Sequence, residues 1–180
     1  MSDCTKTTSC TKAAPIEISK NYALYQPEKG NYFIGQTPMI NKETKYAAVQ
    51  LRNPSDSCRT LYINAITITN LSGENIGAEF YLRGKLSHGT PVEEISCVNT
   101  ALCPEPSHMG QIKYSTGNCE VSKYGTAIFS RIAASSSTLV VDGGQMILGK
   151  GESLIVSIGD FMPVCLTHGI KLYSAGGSRK

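Results

Sequence analysis

The sequence predicts an all-β fold: a two-sheet antiparallel sandwich, jelly-roll-like, that follows an extended N-terminal arm. Apolar residues fall into eight to ten short runs, and Gly, Pro, Asn and Asp separate these runs at regular spacing. Several runs alternate apolar and polar residues with a period of two, as half-buried strands do. No window of 11 or more residues shows the i, i+3, i+4, i+7 pattern of an amphipathic helix. Short strands with frequent turns favour a sandwich.

Residues 1–20 predict a flexible arm. Ser, Thr and Lys dominate this segment, so it cannot bury enough apolar surface to fold alone. The short alternation Ile16-Glu17-Ile18 is strand-like and would allow part of the arm to pair with a sheet edge, its own or a neighbour's. We expect a single sandwich domain over residues 21–176 and a solvated tail at 177–180.

The predicted strands are β-rich runs that end at turn residues. The strongest signal covers residues 60–69, which are apolar on both faces, as expected of a central strand covered on both sides. In residues 78–83 the period is two, with Ala78 and Phe80 on one face. Residues 148–154 are interpreted as a turn leading into a hairpin strand. The other predicted strands are 32–34, 45–51, 111–114, 126–132, 138–141, 145–148, 153–158 and 164–173.

Residues 87–125 are predicted to form a long irregular loop region with one strand-like piece. This region contains three prolines and three cysteines, Cys97, Cys103 and Cys119. Loops of this length inside a domain are usually functional or tied down covalently.

Composition argues against several classes of partner. Charged residues make up 17% of the chain, below the usual quarter or so, and the net charge is only +3. The basic residues are scattered, without a basic run or interleaved aromatic residues, so nucleic acid is not a predicted partner. No apolar run approaches the roughly 18 residues that span a bilayer, so no membrane span is predicted.

The chain has seven cysteines, an odd number that leaves at least one thiol free or available to another chain. No apolar segment follows Met1–Lys6, so we expect synthesis in the cytoplasm without a signal peptide. Disulfides persist in oxidising environments. A protein that is made in the cytosol and cross-linked later, outside the cell, reconciles these facts.

The cysteines fall into two groups of disulfide candidates. Cys97 and Cys103 are candidates for an intramolecular bridge, and either could instead pair with Cys119. Such a bridge would close a loop of roughly 5 to 21 residues and stabilise it by about 2–4 kcal/mol. The alternative is that all seven cysteines are reduced. The intermolecular candidates are the arm residues Cys4 and Cys10, with Cys58, Cys119 or Cys165 of a neighbour.

Metal and catalytic sites are not predicted. Structural zinc sites use Cys-x(2–4)-Cys pairs, whereas five residues separate Cys4 from Cys10 and Cys97 from Cys103. Cys103 and His108 share a loop, but a cysteine nucleophile needs an aligned base, which proximity in sequence does not supply. No phosphate-binding or hydrolase motif is present. We therefore expect no cofactor, no metal and no enzyme activity.

One stretch of the chain is Asn99-Thr100-Ala101-Leu102-Cys103-Pro104-Glu105-Pro106, followed by Gln111-Ile112-Lys113-Tyr114. At these residues the chain resembles an uncharacterised family of spore-forming Firmicutes. Further stretches, from about residue 22 to 173, resemble the same family and leave the arm uncovered. The resemblance implies no catalytic residue. It implies a setting in which coat and appendage proteins are made without signal peptides and deposited on the spore surface. Small β-sandwich appendage subunits with cysteine-bearing arms are similar to this chain in design.

The expected function is that of a structural subunit of a spore-surface fibre, appendage or layer, linked by disulfides from the arm. Its partners would be copies of itself, joined head-to-tail, together with other spore-surface proteins. Two alternatives remain open. One is a lectin-like or adhesin-like binding module that uses residues 87–125, and the other is an enzyme that uses Cys103 and His108. Sandwiches host all three classes of function.

Overall fold

The computed structural model describes residues 22–40, 46–117, 125–142 and 146–159. These residues form one short helix and twelve strands, and every strand pair is antiparallel. The elements are α1 (Tyr22–Glu28), β1 (Phe33–Gly35), β2 (Tyr46–Arg52), β3 (Leu61–Tyr62), β4 (Ala65–Asn70), β5 (Ile76–Leu82), β6 (Thr90–Pro91), β7 (Ile95–Cys97), β8 (Gln111–Thr116), β9 (Thr126–Ala133), β10 (Ser137–Asp142), β11 (Ile147–Leu148) and β12 (Ser153–Gly159).

One layer of the sandwich is a six-stranded sheet in the order β6-β8-β2-β12-β5-β9. Strand β12 lies inside this sheet and pairs along its length with β2 and β5. Its residues Leu154, Ile155 and Val156 are all buried, because both faces of the sheet are covered here. Since β12 does not pair with β11, the predicted hairpin is wrong. The predicted turn is present, and the Glu152 N–H donates to the Gly149 carbonyl at 3.1 Å.

The opposing layer contains a two-stranded ribbon in which β4 pairs with β10 and β3 pairs with β11. The prediction of one central strand over residues 60–69 is wrong. The strand breaks at Ile63, whose side chain is buried and whose N–H donates to the Met146 carbonyl at 3.0 Å. Beyond the break, Thr67 and Thr69 are exposed while Ile68 is buried, so only one face of β4 is covered.

The main core lies between the two layers. Phe80 and Ala78 of β5 are fully buried and pack with Ile68 and Val141 of the ribbon, as the period of two predicts. The Phe80 and Phe129 ring centroids are 4.5 Å apart. A second cluster joins Leu148 to Leu154, so the interior is continuous with the β3–β11 part of the ribbon. The predicted all-β antiparallel sandwich is confirmed.

The other face of the six-stranded sheet is covered by the segment that follows β5. Leu86 packs against Ala48 and Ile155. The Gly84 carbonyl accepts hydrogen bonds from the side chains of Gln50, at 2.9 Å, and Ser153, at 2.5 Å. These contacts satisfy polar groups that are buried on this face.

Two local features differ from the predictions. Residues 87–125 contain strands β6, β7 and β8, with β7 paired to β1, so this region is more ordered than a long loop. The helix α1 was not predicted, since its seven residues are too few for an amphipathic pattern. The arm (1–20), the predicted strand 164–173 and the tail (177–180) lie outside the described residues.

Candidate functional site

Cys58 lies on the turn between β2 and β3, and a buried asparagine holds this turn in place. The Asn53 side chain is fully buried, and its Nδ2 donates to the Arg59 carbonyl at 2.8 Å and the Leu148 carbonyl at 3.0 Å. The Asn53 N–H donates to the Glu152 carbonyl at 2.9 Å. The turn is thereby bonded to the segment that enters β12, the central strand of the sandwich.

A second set of bonds fixes the residues beside Cys58. The Ser57 hydroxyl is buried, accepts from the Arg59 N–H at 3.1 Å and lies 3.2 Å from the Arg59 carbonyl. Cys58 itself is exposed and carries a free thiol. The fold therefore presents this thiol to solvent from a backbone that is bonded on both sides.

Cys97 and Cys103 both lie in residues 97–106, a segment that docks on the C-terminus of α1. The Asn99 Nδ2 donates at 3.2 Å to the Pro27 carbonyl, which lies at the helix end and also accepts from the Gly30 N–H at 3.0 Å. Gly30 has φ of +69° and terminates the helix, and a Cβ added there would lie 2.7 Å from Leu102 and Pro106. The segment 97–106, which we call the docking segment, therefore packs closely against Gly30, where a side chain would collide with it.

Within the docking segment the two thiols have different environments. Cys97 is buried, and its backbone N–H donates to Glu105 Oε1 at 2.9 Å. Cys103 is exposed and precedes the cis peptide bond to Pro104. Both thiols are free in this structure. Because redox state decides whether they bond, the bridge between them stays a prediction. Cys4, Cys10, Cys119 and Cys165 lie outside the described residues.

The docking segment contacts the C-terminal end of helix α1, which begins at Tyr22. These contacts come from Asn99, Leu102 and Pro106. Sequence reasoning missed Gly30 and Asn99 in this role. The signal for Gly30 was available, because a Gly that follows Pro27-Glu28-Lys29 is typical of a helix C-terminus.

The structure does not bring Cys103 and His108 together as a nucleophile and base. The His108 Nδ1 lies 3.0 Å from the Gly110 carbonyl, and its ring meets Phe33 edge-on with centroids 6.3 Å apart. No hydrogen bond joins it to Cys103, although both residues are described. His88 lines an open, polar depression of about 390 Å³ at the β6–β8 edge, with Tyr114 and Thr116.

Among residues 22–40, 46–117, 125–142 and 146–159, no group of three or more His, Cys, Asp or Glu side chains is placed to hold a metal ion. Nor does this part of the chain contain a helix that is long and apolar enough to cross a membrane.

The strand edges differ in how well they are protected against pairing with another chain. Strand β6 is two residues long and includes Pro91, while β9 has an irregular register opposite Phe80 and Tyr81. The Arg131 guanidinium lies 4.7 Å from the centre of the Phe129 ring, which places a charge at the β9 edge. Short strands, proline, bulges and charges all protect edges. Strand β4 has an uninterrupted register and no charged residue or proline.

The comparisons with known proteins place the chain in a family without indicating an activity. The model of a family of unknown function, DUF6143, matches residues 5–163. This match begins inside the predicted arm, which the resemblance had left uncovered. The chain matched no curated protein and no solved structure.

Proposed function

The chain belongs to DUF6143, a family of unknown function, and we propose that it is a self-assembling structural subunit of a bacterial spore-surface fibre, appendage or layer. Disulfides from Cys4 or Cys10 of one subunit to Cys58 of the next would join the subunits covalently. The spore setting rests on the family resemblance of the docking segment.

The single observation that carries this proposal is the exposed Cys58 thiol on a turn held by the buried Asn53. A bond to a fixed turn restrains the neighbouring subunit, whereas a bond to a free loop would leave it mobile. Each disulfide removes two protons and two electrons from two thiols, and dioxygen outside the cell accepts them.

The proposed contact is directional. The arm cysteines Cys4 and Cys10 precede α1, whereas Cys58 lies on the turn between β2 and β3. Next to Cys58, the Arg59 Nη1 donates to the Asn31 Oδ1 at 3.5 Å, so this turn lies beside the loop that follows α1. In a head-to-tail contact the arm of one subunit would bond to the Cys58 turn of the next, and such contacts generate a filament when the rotation between subunits does not close.

Negative-stain electron microscopy with non-reducing gels tests the proposal. The oxidised wild type should form filaments or layers and an SDS-resistant ladder, which Cys4→Ser/Cys10→Ser and Cys58→Ser should each abolish. Cys103→Ser is the matched control, since it removes another exposed thiol and should leave the ladder intact. A full-length protein that stays a reduced monomer under air at high concentration would contradict the proposal.

A binding module is the second candidate, because the polar depression lined by His88, Tyr114 and Thr116 lies in the region that the lectin-like alternative assigned to a ligand. A glycan array separates the two functions. Saturable binding that is lost in Tyr114→Ala would favour the binding module, whereas a pure scaffold should bind no glycan.

A further inference from the structure

The segment that follows β5 is held tightly against the face of the six-stranded sheet that lies away from the main core. The Gly84 carbonyl accepts hydrogen bonds from the side chains of Gln50 and Ser153. A Cβ added at Gly84 would lie 2.7 Å from the Ile155 Cδ1, and one added at Gly125 would lie 3.1 Å from the Gly84 Cα. Gly84 is therefore a fixed point on this face, and its neighbours have defined positions.

Basic residues that are separated in the sequence meet around Gly84. Arg83 precedes Gly84, Lys85 follows it, and both side chains are exposed. Arg52 comes two residues after Gln50 on β2, so its side chain leaves the same face of the sheet as the Gln50 side chain. Because the Gln50 side chain is bonded to Gly84, Arg52 lies on the other side of the same residue.

Lys113 extends this basic surface towards the β8 side of the sheet. It pairs with Gln50 across the β2–β8 ladder, and cross-strand partners share a face. A Cβ added at Gly89 would lie 3.4 Å from the Lys113 Cβ, so the segment that follows Gly84 runs beside Lys113. We call this surface the basic face, and its members are Arg52, Arg83, Lys85 and Lys113.

Two carboxylates lie at the borders of the basic face. The Glu152 Oε2 is 3.4 Å from the Arg83 Nε, in an ion pair whose side chains are 43% and 75% exposed. Glu93 comes two residues after Pro91, which pairs with Lys113. Four positive and two negative charges leave an excess of two, out of a net charge of +3 for the whole chain. The fold thus gathers most of the net positive charge on one surface.

The backbone of Arg83 indicates that its side chain is used. Its φ of +61° lies in the left-handed region, which disfavours residues that have a Cβ. Glycine adopts this conformation without strain, as Gly30 and Gly151 do in the same chain. An exposed ion pair such as the one with Glu152 contributes little stability, so it does not offset the strain. Strain of this kind is typical of functional positions.

The width of the basic face favours an extended ligand over a single small anion. Ser153 pairs with Arg52, and its carbonyl accepts from the Arg83 N–H at 2.8 Å, so the two arginines flank one residue of β12. Two strand spacings separate them, about 10 Å, and a third spacing to Lys113 makes about 14 Å. A polymer with repeated negative groups spans this distance.

The chemistry of the face distinguishes between kinds of polyanion. Proteins that bind single-stranded nucleic acid stack its bases on aromatic side chains, and proteins that read duplex DNA insert a helix or ribbon into a groove. Tyr81, on this face, packs against the cluster around Leu86 and donates its hydroxyl to Glu79, so its ring is not presented for stacking. We propose that the basic face binds an acidic polysaccharide, a polymer that presents repeated carboxylate groups without bases.

Biolayer interferometry on immobilised polygalacturonate tests this proposal with the full-length chain. A reductant is present, so arm disulfides do not contribute and the result is independent of subunit cross-linking. The wild type should bind saturably, with an affinity that falls as salt is added, and should not bind neutral dextran. Arg83→Gly/Lys85→Gln should weaken the affinity about tenfold, because it removes two exposed ion pairs.

The matched control removes the same two charges elsewhere on the surface. Lys29 and Arg131 lie over the rings of Tyr25 and Phe129, away from the basic face, and Lys29→Gln/Arg131→Gln should bind like the wild type. Equal weakening in the two double variants would reduce the binding to unspecific attraction and overturn the proposal. Absence of saturable binding, or tighter binding to oligodeoxythymidylate than to polygalacturonate, would overturn it as well.

Two single variants locate the site. Arg83→Gly relieves the backbone strain, so its unfolding midpoint should equal or exceed that of the wild type while its affinity falls. A lower midpoint with unchanged affinity would give Arg83 a structural role and contradict the proposal. Tyr114→Ala should keep the binding, because Tyr114 lines the depression beside His88 and not the basic face. Loss of binding in Tyr114→Ala would move the site to that depression and refute the assignment.

Discussion

Replacement of Asn53 by Ala should destabilise the whole sandwich and release the turn that carries Cys58. The substitution removes two hydrogen bonds, a part-buried one to the Arg59 carbonyl and a buried one to the Leu148 carbonyl, while the Arg59 carbonyl keeps the bond from the Ser57 hydroxyl. Each such bond contributes about 1–1.5 kcal/mol, so we expect a loss of about 2–3 kcal/mol. The Asn53 Oδ1 has no hydrogen-bond partner within the described structure, so its removal adds no cost.

Urea unfolding measures this loss directly. With a slope of about 2 kcal/mol/M, the midpoint should fall by about 1–1.5 M. The matched control is Asn75→Ala, which removes one exposed bond to the Ser135 N–H and should shift the midpoint by less than about 0.3 M. A loss below about 0.5 kcal/mol for Asn53→Ala would refute the view that this side chain holds the Cys58 turn.

Three further predictions concern the core, the docking segment and pH. Phe80→Ala should cost about 3–5 kcal/mol in urea unfolding, because the ring is fully buried against Phe129; a cost under 1 kcal/mol would contradict this packing. Gly30→Ala should lower Tm and speed hydrogen exchange in α1, since φ is +69° and the new Cβ would meet Leu102; unchanged exchange would contradict the docking. The pKa of Tyr81 is raised from 10.0 to about 12. Burial is the larger cause, and the hydrogen bond that the Tyr81 hydroxyl donates to Glu79 adds to it. The folded state keeps this proton longer than the unfolded state, so stability should fall as pH rises from about 10 to 12. Tyr81→Phe should show a smaller fall, and equal falls would contradict the linkage.

Strands with a clear alternation were predictable from the sequence. In β5, Ala78 and Phe80 fall on one face because the chain alternates with a period of two, and both side chains are fully buried. Strand β12 was predicted from its apolar run rather than from alternation, and its position inside the sheet explains why it is apolar on both faces. Local pattern thus sufficed for both of these strands.

Features that depend on contacts distant in sequence were not predictable. The break between β3 and β4 accompanies a change of register, from Leu61↔Leu148 in β3 to Ala65↔Asp142 in β4, which depends on a segment distant in the chain. The helix α1 depends on Asn99 and on the fit of Leu102 to Gly30. In the same way, the burial of Asn53 against Leu148 requires the assembled sandwich.

The central claim is that an arm cysteine of one subunit bonds to Cys58 of the next. Mass spectrometry of peptides from the air-oxidised, full-length wild type measures this linkage most directly. Mixing unlabelled with ¹⁵N-labelled chains before assembly identifies bonds between subunits. The account predicts hybrid-labelled peptides that join Cys4 or Cys10 to Cys58. Assembled material in which Cys58 is entirely reduced, or bonded only within its own chain, would contradict the account.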